Sequence, residues 1–132
     1  MEIFCAGRAF LLSGGQVSAP HLWFVLTDAD ASGKVITVML RSAKPYTDKT
    51  VVLNVGDHPW IRHESNIDYG TARPVPKTKL IDANNGSRLV IQADMSKELL
   101  QKVRDGLLKS SHTIHAVRDE CKARFEEPET EP

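Results

Sequence analysis

Short apolar runs separated by turn residues occupy the first two-thirds of this chain. The runs that predict strands are residues 3–12, 22–26, 35–40, 51–55, 67–71 and 89–93. Continuous apolar stretches of this length are typical of buried strands. The turn at residues 28–33 joins two of them into a predicted hairpin. Pro74 and Pro76 suit a sheet edge, because proline has no N–H to donate. The pattern predicts a small, strongly bent sheet or barrel and disfavours a βαβ fold.

The last third of the chain has helical periodicity. Apolar residues at this spacing are Leu99, Leu100, Val103 and Leu107, then Ile114, Val117, Cys121 and Phe125. Ser96 can cap the first predicted helix. Gly106 costs that helix about 1 kcal/mol relative to alanine, so the helix must be stabilised by docking on the sheet. We expect a mainly β domain with a docked helix over residues 1–110, a further helix over 111–125 and a disordered acidic tail over 126–132.

Composition is ordinary for a soluble globular domain of 132 residues, with 41% hydrophobic and 26% charged residues. No apolar run approaches the roughly 20 residues of a membrane span. The N-terminus lacks the basic start and long apolar middle of a signal peptide. We therefore expect a cytoplasmic protein with no membrane partner. Cys5 and Cys121 are expected to be small buried apolar residues and not a disulfide.

Charge is unevenly distributed although the net charge is zero. Residues 34–79 contain eight Lys/Arg against four Asp/Glu, a balance of +4. Residues 1–33 (one against three) and 80–132 (eight against ten) each have a balance of −2. A neutral protein does not coat nucleic acid through bulk electrostatics. Its positive middle can still bind a short stretch of phosphates, although chance variation explains the asymmetry equally well.

Candidate chemistry is densest between residues 56 and 69. Besides three carboxylates, this segment contains His58, Trp60, Arg62, His63, Ser65 and Tyr69. Imidazoles beside a fixed cation are suited to acid–base chemistry on a phosphate or a carbonyl. A polar loop that folds over a sheet edge, with its tryptophan in the core, would have the same composition.

Further candidate residues lie outside this segment. His21 lies at a loop-to-strand junction, where it could take part in chemistry or simply cap or stack. Arg73 ends a strand that begins near Ser65, where its guanidinium could clamp a phosphate or form a surface ion pair with Asp68 or Glu64. The segment from Asp28 to Gly33 begins like a calcium-binding loop but has a methionine at the twelfth position, so it predicts a hairpin turn. His112 and His115 lack further ligands at metal-binding spacing, and no metal site is predicted.

The run from residue 65 to residue 80 resembles a block of the MazF/PemK toxin family. In that family a serine opens a strand, an arginine follows eight residues later and a leucine seven after that. Ser65, Arg73 and Leu80 fall at those positions, and the order of elements over residues 6–109 is similar. The resemblance implies a small SH3-like β-barrel with a C-terminal helix, a homodimer, a partner antitoxin, and endoribonuclease activity that needs no metal or cofactor.

The resemblance also implies roles for single residues. Arg73 matches the arginine that stabilises the phosphate. Arg41 stands where the family commonly has a threonine, and Pro20-His21 replaces a basic residue before the second strand. The family's acid after the arginine is missing, because this chain reads Pro74-Val75-Pro76 there.

The leading hypothesis is a toxin-like, metal-independent endoribonuclease that cleaves single-stranded RNA. His63 or His21 would take the 2′-hydroxyl proton, Arg73 would hold the phosphate, and Arg41 and Ser65 would assist. The remaining candidates for binding RNA are His58, Arg62, and Trp60 or Tyr69 as a base-stacking ring. The alternative is a catalytically inactive barrel that binds protein or nucleic acid. A small-molecule hydrolase is less expected, since no Gly-x-Ser-x-Gly elbow surrounds Ser65.

Overall fold

The structure, a computed structural model, describes residues 3–13 and 19–126, and the predicted tail beyond residue 126 lies outside them. The elements are β1 (Ala9–Leu12), β2 (His21–Val25), β3 (Lys34–Ser42), β4 (Val52–Leu53), β5 (Ser65–Pro76), α1 (Lys77–Asn85), β6 (Leu89–Gln92), α2 (Lys97–Lys109) and α3 (His115–Phe125). The predicted mainly β architecture with C-terminal helices is confirmed. The helix α1 was not predicted.

The strands form one antiparallel sheet in the order β4-β5-β3-β2-β1-β6, curled into a half-barrel. The long strands β3 and β5 pair from Lys34↔Pro76 to Ser42↔Ser65. The second half of β5 has β3 as its neighbour and lies beyond the reach of β4, which pairs only with residues 65 and 66. The prolines of β5 therefore lie at an edge, as the sequence predicted.

A bulge in β5 bends the centre of the sheet. Met39 pairs with Asp68, and the next pair along the two strands is Thr37 with Arg73. Between these pairs β5 has four residues, 69–72, whereas β3 has one. The Thr71 side chain replaces the lost strand partner, because its Oγ1 accepts from the Met39 N–H (3.0 Å) and donates to the Asp68 carbonyl (2.6 Å). Extra residues on one strand increase local bending and twist, which suits a curled sheet.

Apolar side chains pack on both faces of the sheet. On one face, α2 and α3 cover a core that includes Tyr69, Val103 and Cys121. On the other, α1 covers a smaller core through Leu80 and Ala83. This burial on both faces explains the continuous apolar runs of β2 and β3.

The C-terminal helices are fixed by specific contacts. The Ser96 hydroxyl accepts from the Leu99 N–H at 3.0 Å, so the predicted cap of α2 is confirmed. On α3, Arg118 donates to the Ser110 carbonyl at 2.6 Å, and Arg124 donates to the backbone carbonyls of Asp28 and Lys34. The predicted second helix is thus clamped at its start to the end of α2 and at its end to the β2–β3 hairpin.

Both cysteines are free thiols, as predicted. Cys121 is fully buried and Cys5 is half-buried. Burial raises the pKa of Cys121 to about 12, so this thiol stays protonated and acts as a small apolar side chain. Among the described helices, none is long and apolar enough to cross a membrane.

Candidate functional site

A pocket of about 210 Å³ opens where β3 ends and β5 begins. The described residues that line it are His21, Leu40, Arg41, Ser42, Trp60, Ile61, Arg62, His63 and Ser65. Strand pairing explains their convergence. Ser42 pairs with Ser65, and the β2–β3 register, which pairs Trp23 with Met39, brings His21 beside Arg41 two residues further on. The loop before β5 then contributes residues 60–63.

His63 is exposed and held at the pocket wall by hydroxyl groups. Its Nε2 lies 2.7 Å from the Ser42 Oγ, within a hydrogen bond. The Ser65 hydroxyl donates to the His63 carbonyl at 2.9 Å, which fixes the backbone that carries the ring. An imidazole placed in this way can exchange a proton with a ligand or with solvent.

Arg41 supplies a partly paired cation. Its guanidinium Nη1 lies 3.2 Å from Asp68 Oδ2, while the side chain remains 42% exposed. Arg62 is exposed and donates to the Pro59 carbonyl at 3.0 Å. Of the described residues that line the pocket, none is acidic. Two guanidiniums and two imidazoles therefore give the pocket a surface suited to an anion.

Trp60 contributes a half-buried ring to the pocket, and His58 fixes its backbone. The Trp60 N–H donates to His58 Nδ1 at 3.1 Å, and His58 Nε2 lies 2.7 Å from the Ala93 carbonyl. These partners require Nε2 to carry the proton, because a carbonyl can only accept. With both ring nitrogens bonded and only 3% exposure, His58 supports the loop and is not available to a substrate.

Tyr69 and Arg73 also lie elsewhere than predicted. Tyr69 is fully buried, and its hydroxyl donates to the Val103 carbonyl at 2.7 Å, so its ring cannot stack on a base. Burial raises the pKa of this phenol. The Arg73 guanidinium donates to the carbonyls of Gly70 (2.9 Å) and Ala72 (2.7 Å), which belong to the β5 bulge.

The position of Arg73 along the sheet separates it from the pocket. Arg73 pairs with Thr37, which lies four residues before Arg41 on β3. The two backbone positions are therefore about 13 Å apart along the strand at the usual rise per residue.

Six of the nine predicted site residues line one pocket, whereas His58, Tyr69 and Arg73 do not. Arg41, at the end of β3, therefore lines the pocket, and Arg73 does not.

Ser42 is a pocket residue that sequence reasoning missed. Its hydrogen bond to His63 joins the end of β3 to the loop before β5. Only the register of these strands could have revealed it, since the sequence around Ser42 has no recognisable motif. In the part of the chain that the structure describes, no three His, Cys, Asp or Glu side chains are grouped so that they could hold a metal ion.

No protein-family model matches this chain, and neither does any curated protein. The resemblance to the MazF/PemK family, with its SH3-like barrel type, homodimer and antitoxin, therefore stays a prediction.

Proposed function

We propose that this protein is an endoribonuclease that cleaves single-stranded RNA through the RNA's own 2′-hydroxyl, without a metal ion. The observation that carries the proposal is the convergence of His21, His63 and Arg41 around one open pocket. Cleavage of this kind needs a base, an acid and a cation close to the developing charge. The pocket contains candidates for all three.

In the proposed reaction one imidazole removes the proton from the 2′-hydroxyl, and the oxygen attacks the adjacent phosphorus. The bond from phosphorus to the 5′-oxygen breaks, and the second imidazole gives a proton to that oxygen. The products are a 2′,3′-cyclic phosphate and a 5′-hydroxyl. Because one imidazole must be neutral and the other protonated, the rate passes through a maximum as the pH changes.

The other pocket residues have supporting roles in this proposal. Arg41 would contact the non-bridging phosphate oxygens, where a guanidinium can make two parallel hydrogen bonds. Asp68 holds Arg41 before RNA binds, and Ser42 holds the ring of His63. The half-buried Trp60 offers a face on which an unpaired base can stack.

The test is cleavage of an unstructured RNA of mixed sequence in the presence of EDTA, with analysis of the product ends. We expect cyclic phosphate ends, and we expect His21→Ala and His63→Ala each to lower the rate by about a hundredfold or more. His115→Ala, which changes an exposed histidine on α3, is the matched control and should cleave normally. Cleavage that EDTA abolishes would contradict the proposal.

The two arginines distinguish this site from the one that the family resemblance implies. Arg41→Ala should lower the rate by about a hundredfold, because it removes charge stabilisation at the phosphate. Arg73→Ala should leave the rate per folded molecule unchanged, since Arg73 bonds to the bulge of its own strand. Tight RNA binding with intact RNA would instead favour the alternative of an inactive binding module.

A further inference from the structure

The loop between β3 and β4 begins at the rim of the pocket. Ser42 lines the pocket, and the next residue, Ala43, donates its N–H to the Glu64 carbonyl at 3.2 Å. Glu64 itself lies between two further pocket residues, His63 and Ser65. The loop over residues 43–50 therefore starts beside the pocket.

This loop is ordered by its own hydrogen bonds. The Lys44 N–H donates to Thr47 Oγ1 at 3.0 Å, and the Thr47 hydroxyl and N–H both donate to the Lys44 carbonyl at 2.9 Å and 3.1 Å. Lys49 Nζ also donates to the Lys44 carbonyl and to Thr47 Oγ1. Residues 44–47 therefore form a closed turn.

A buried carboxylate anchors the far end of the loop. Asp48 accepts from the Ser110 hydroxyl at 2.6 Å and from the N–H and hydroxyl of Thr50 at 2.9 Å and 2.6 Å. These bonds tie the loop to the end of α2. The turn that projects between Ala43 and Asp48 is thus held at both ends.

Tyr46 stands at the tip of this turn with 78% of its surface exposed. Lys44 and Lys49 flank it on the same loop, and both are exposed. An exposed ring with exposed lysines before and after it in the sequence resembles the combination that proteins use for single-stranded nucleic acid, with base stacking on the ring and phosphates near the cations. Tyr46 is four positions after Ser42 in the chain, a span of at most about 14 Å.

We propose that residues 44–49, with Tyr46 as the stacking ring, form a binding subsite for a nucleotide that flanks the cleaved one in single-stranded RNA. This inference rests on the proposed function for the choice of ligand, but it concerns binding and not the chemical step. The subsite extends the pocket along one side and gives the protein a preference for RNA longer than a dinucleotide.

Binding is measured separately from cleavage with a fluorescein-labelled, unstructured oligonucleotide of about ten nucleotides that carries 2′-O-methyl groups. Such RNA has no free 2′-hydroxyl and therefore cannot be cleaved by the proposed route. Fluorescence anisotropy should show affinity about five- to a hundredfold lower for Tyr46→Ala, whereas Tyr46→Trp should bind at least as tightly as the wild type. Val90→Ala removes an exposed apolar side chain from β6, at the other edge of the sheet, and should bind normally.

Cleavage of unmodified RNA separates failure of the subsite from failure of the nuclease. Tyr46→Ala should raise KM for the long substrate without changing kcat, and should leave cleavage of a dinucleotide unchanged. Loss of binding in Tyr46→Ala, with no cleavage by the wild-type protein, would support the subsite and contradict the proposed nuclease activity. Equal affinity of wild type and Tyr46→Ala for the 2′-O-methyl RNA would overturn the subsite, whether or not the protein cleaves.

Discussion

Asp48 shows how a charged residue can serve the fold and not the pocket. Its side chain is buried, which raises the pKa of a carboxyl, but hydrogen bonds from Ser110 and Thr50 outweigh that effect and the pKa lies below its ordinary value of 3.8. The folded state therefore holds the carboxylate form more strongly than the unfolded chain does. By linkage, this stabilisation is present above the unfolded pKa and is lost as the pH falls through the folded pKa.

We expect Asp48→Asn to remove this acid-dependent part of the stability. The free energy of unfolding of the wild type should exceed that of the variant near neutral pH, and the difference should shrink as the pH falls from about 5 to below 3.8. Urea unfolding at a series of pH values measures this difference.

Ser110→Ala removes one hydrogen-bond donor to the Asp48 carboxylate. This variant should lower the free energy of unfolding by about 1.5–3 kcal/mol near neutrality and by much less in acid. A difference that stays constant down to pH 3 would contradict this account.

Two histidines five residues apart illustrate what sequence can say about a site. His58 and His63 are equally attractive as acid–base groups, but His58 bonds to Trp60 and Ala93 inside the protein, whereas His63 reaches the pocket. The concentration of chemistry in residues 56–69 was a sound guide to the neighbourhood of the pocket. The role of each imidazole depends on partners distant in sequence, such as the Ala93 carbonyl, which a local pattern cannot reveal.

At the scale of an element, Gly106 explains how α2 lies on the sheet. A Cβ at this position would come within 2.9 Å of Tyr69 Cζ and closer still to Tyr69 Oη and Val51 Cγ2. The neighbours are a buried ring and a buried branched side chain, so neither can move away easily. The glycine near the end of the helix allows the close approach that also lets Tyr69 donate to the Val103 carbonyl.

Gly106→Ala should therefore destabilise the protein even though alanine is the better helix former. The gain in helix propensity is about 1 kcal/mol, and overpacking in a filled core typically costs about 1–3 kcal/mol, with the bond from Tyr69 disturbed in addition. Gly86→Ala is the matched control, because a Cβ there would lie 3.4 Å from the nearest atom, the Asp82 carbonyl oxygen. Thermal unfolding of both variants tests the difference. A Gly106→Ala protein as stable as the wild type would show that α2 can shift without loss.

Helices and strands with a long, regular apolar pattern were predictable from sequence, and those with a short or interrupted pattern were not. Helices α2 and α3 and the buried strands β2 and β3 have regular spacing and were located within a few residues. The nine-residue helix α1 buries only Leu80 and Ala83 and follows directly on Pro76, so its signal was too weak to separate from a loop. The sequence placed a strand from near Ser65 to Arg73, and β5 continues from there to Pro76, pairing with β3 on both sides of the bulge at residues 69–72.

For the molecule as a whole, the fold gathers cations that the chain distributes through its positive middle. Arg41 and Arg62 line one pocket, and Lys44 and Lys49 belong to the loop that begins at its rim. The net charge remains zero. In the proposed function, attraction of RNA would be a local property of this face, because the remaining surface contributes no overall positive field. The sequence predicted the sign of this segment, but only the fold brought Arg41 and Arg62 to one pocket.

The salt dependence of RNA binding tests this local picture. Each phosphate neutralised on a single strand contributes about −0.7 to the slope of log K against log salt, so three or four contacts give a slope of roughly −2 to −3. Anisotropy titrations with the 2′-O-methyl RNA between roughly 50 and 200 mM KCl should give this value. Arg41→Ala and Lys44→Ala should each make the slope shallower by about 0.7, whereas Lys122→Ala on α3 should not change it. A wild-type slope steeper than about −5 would mean that RNA contacts many more cations than this face contains.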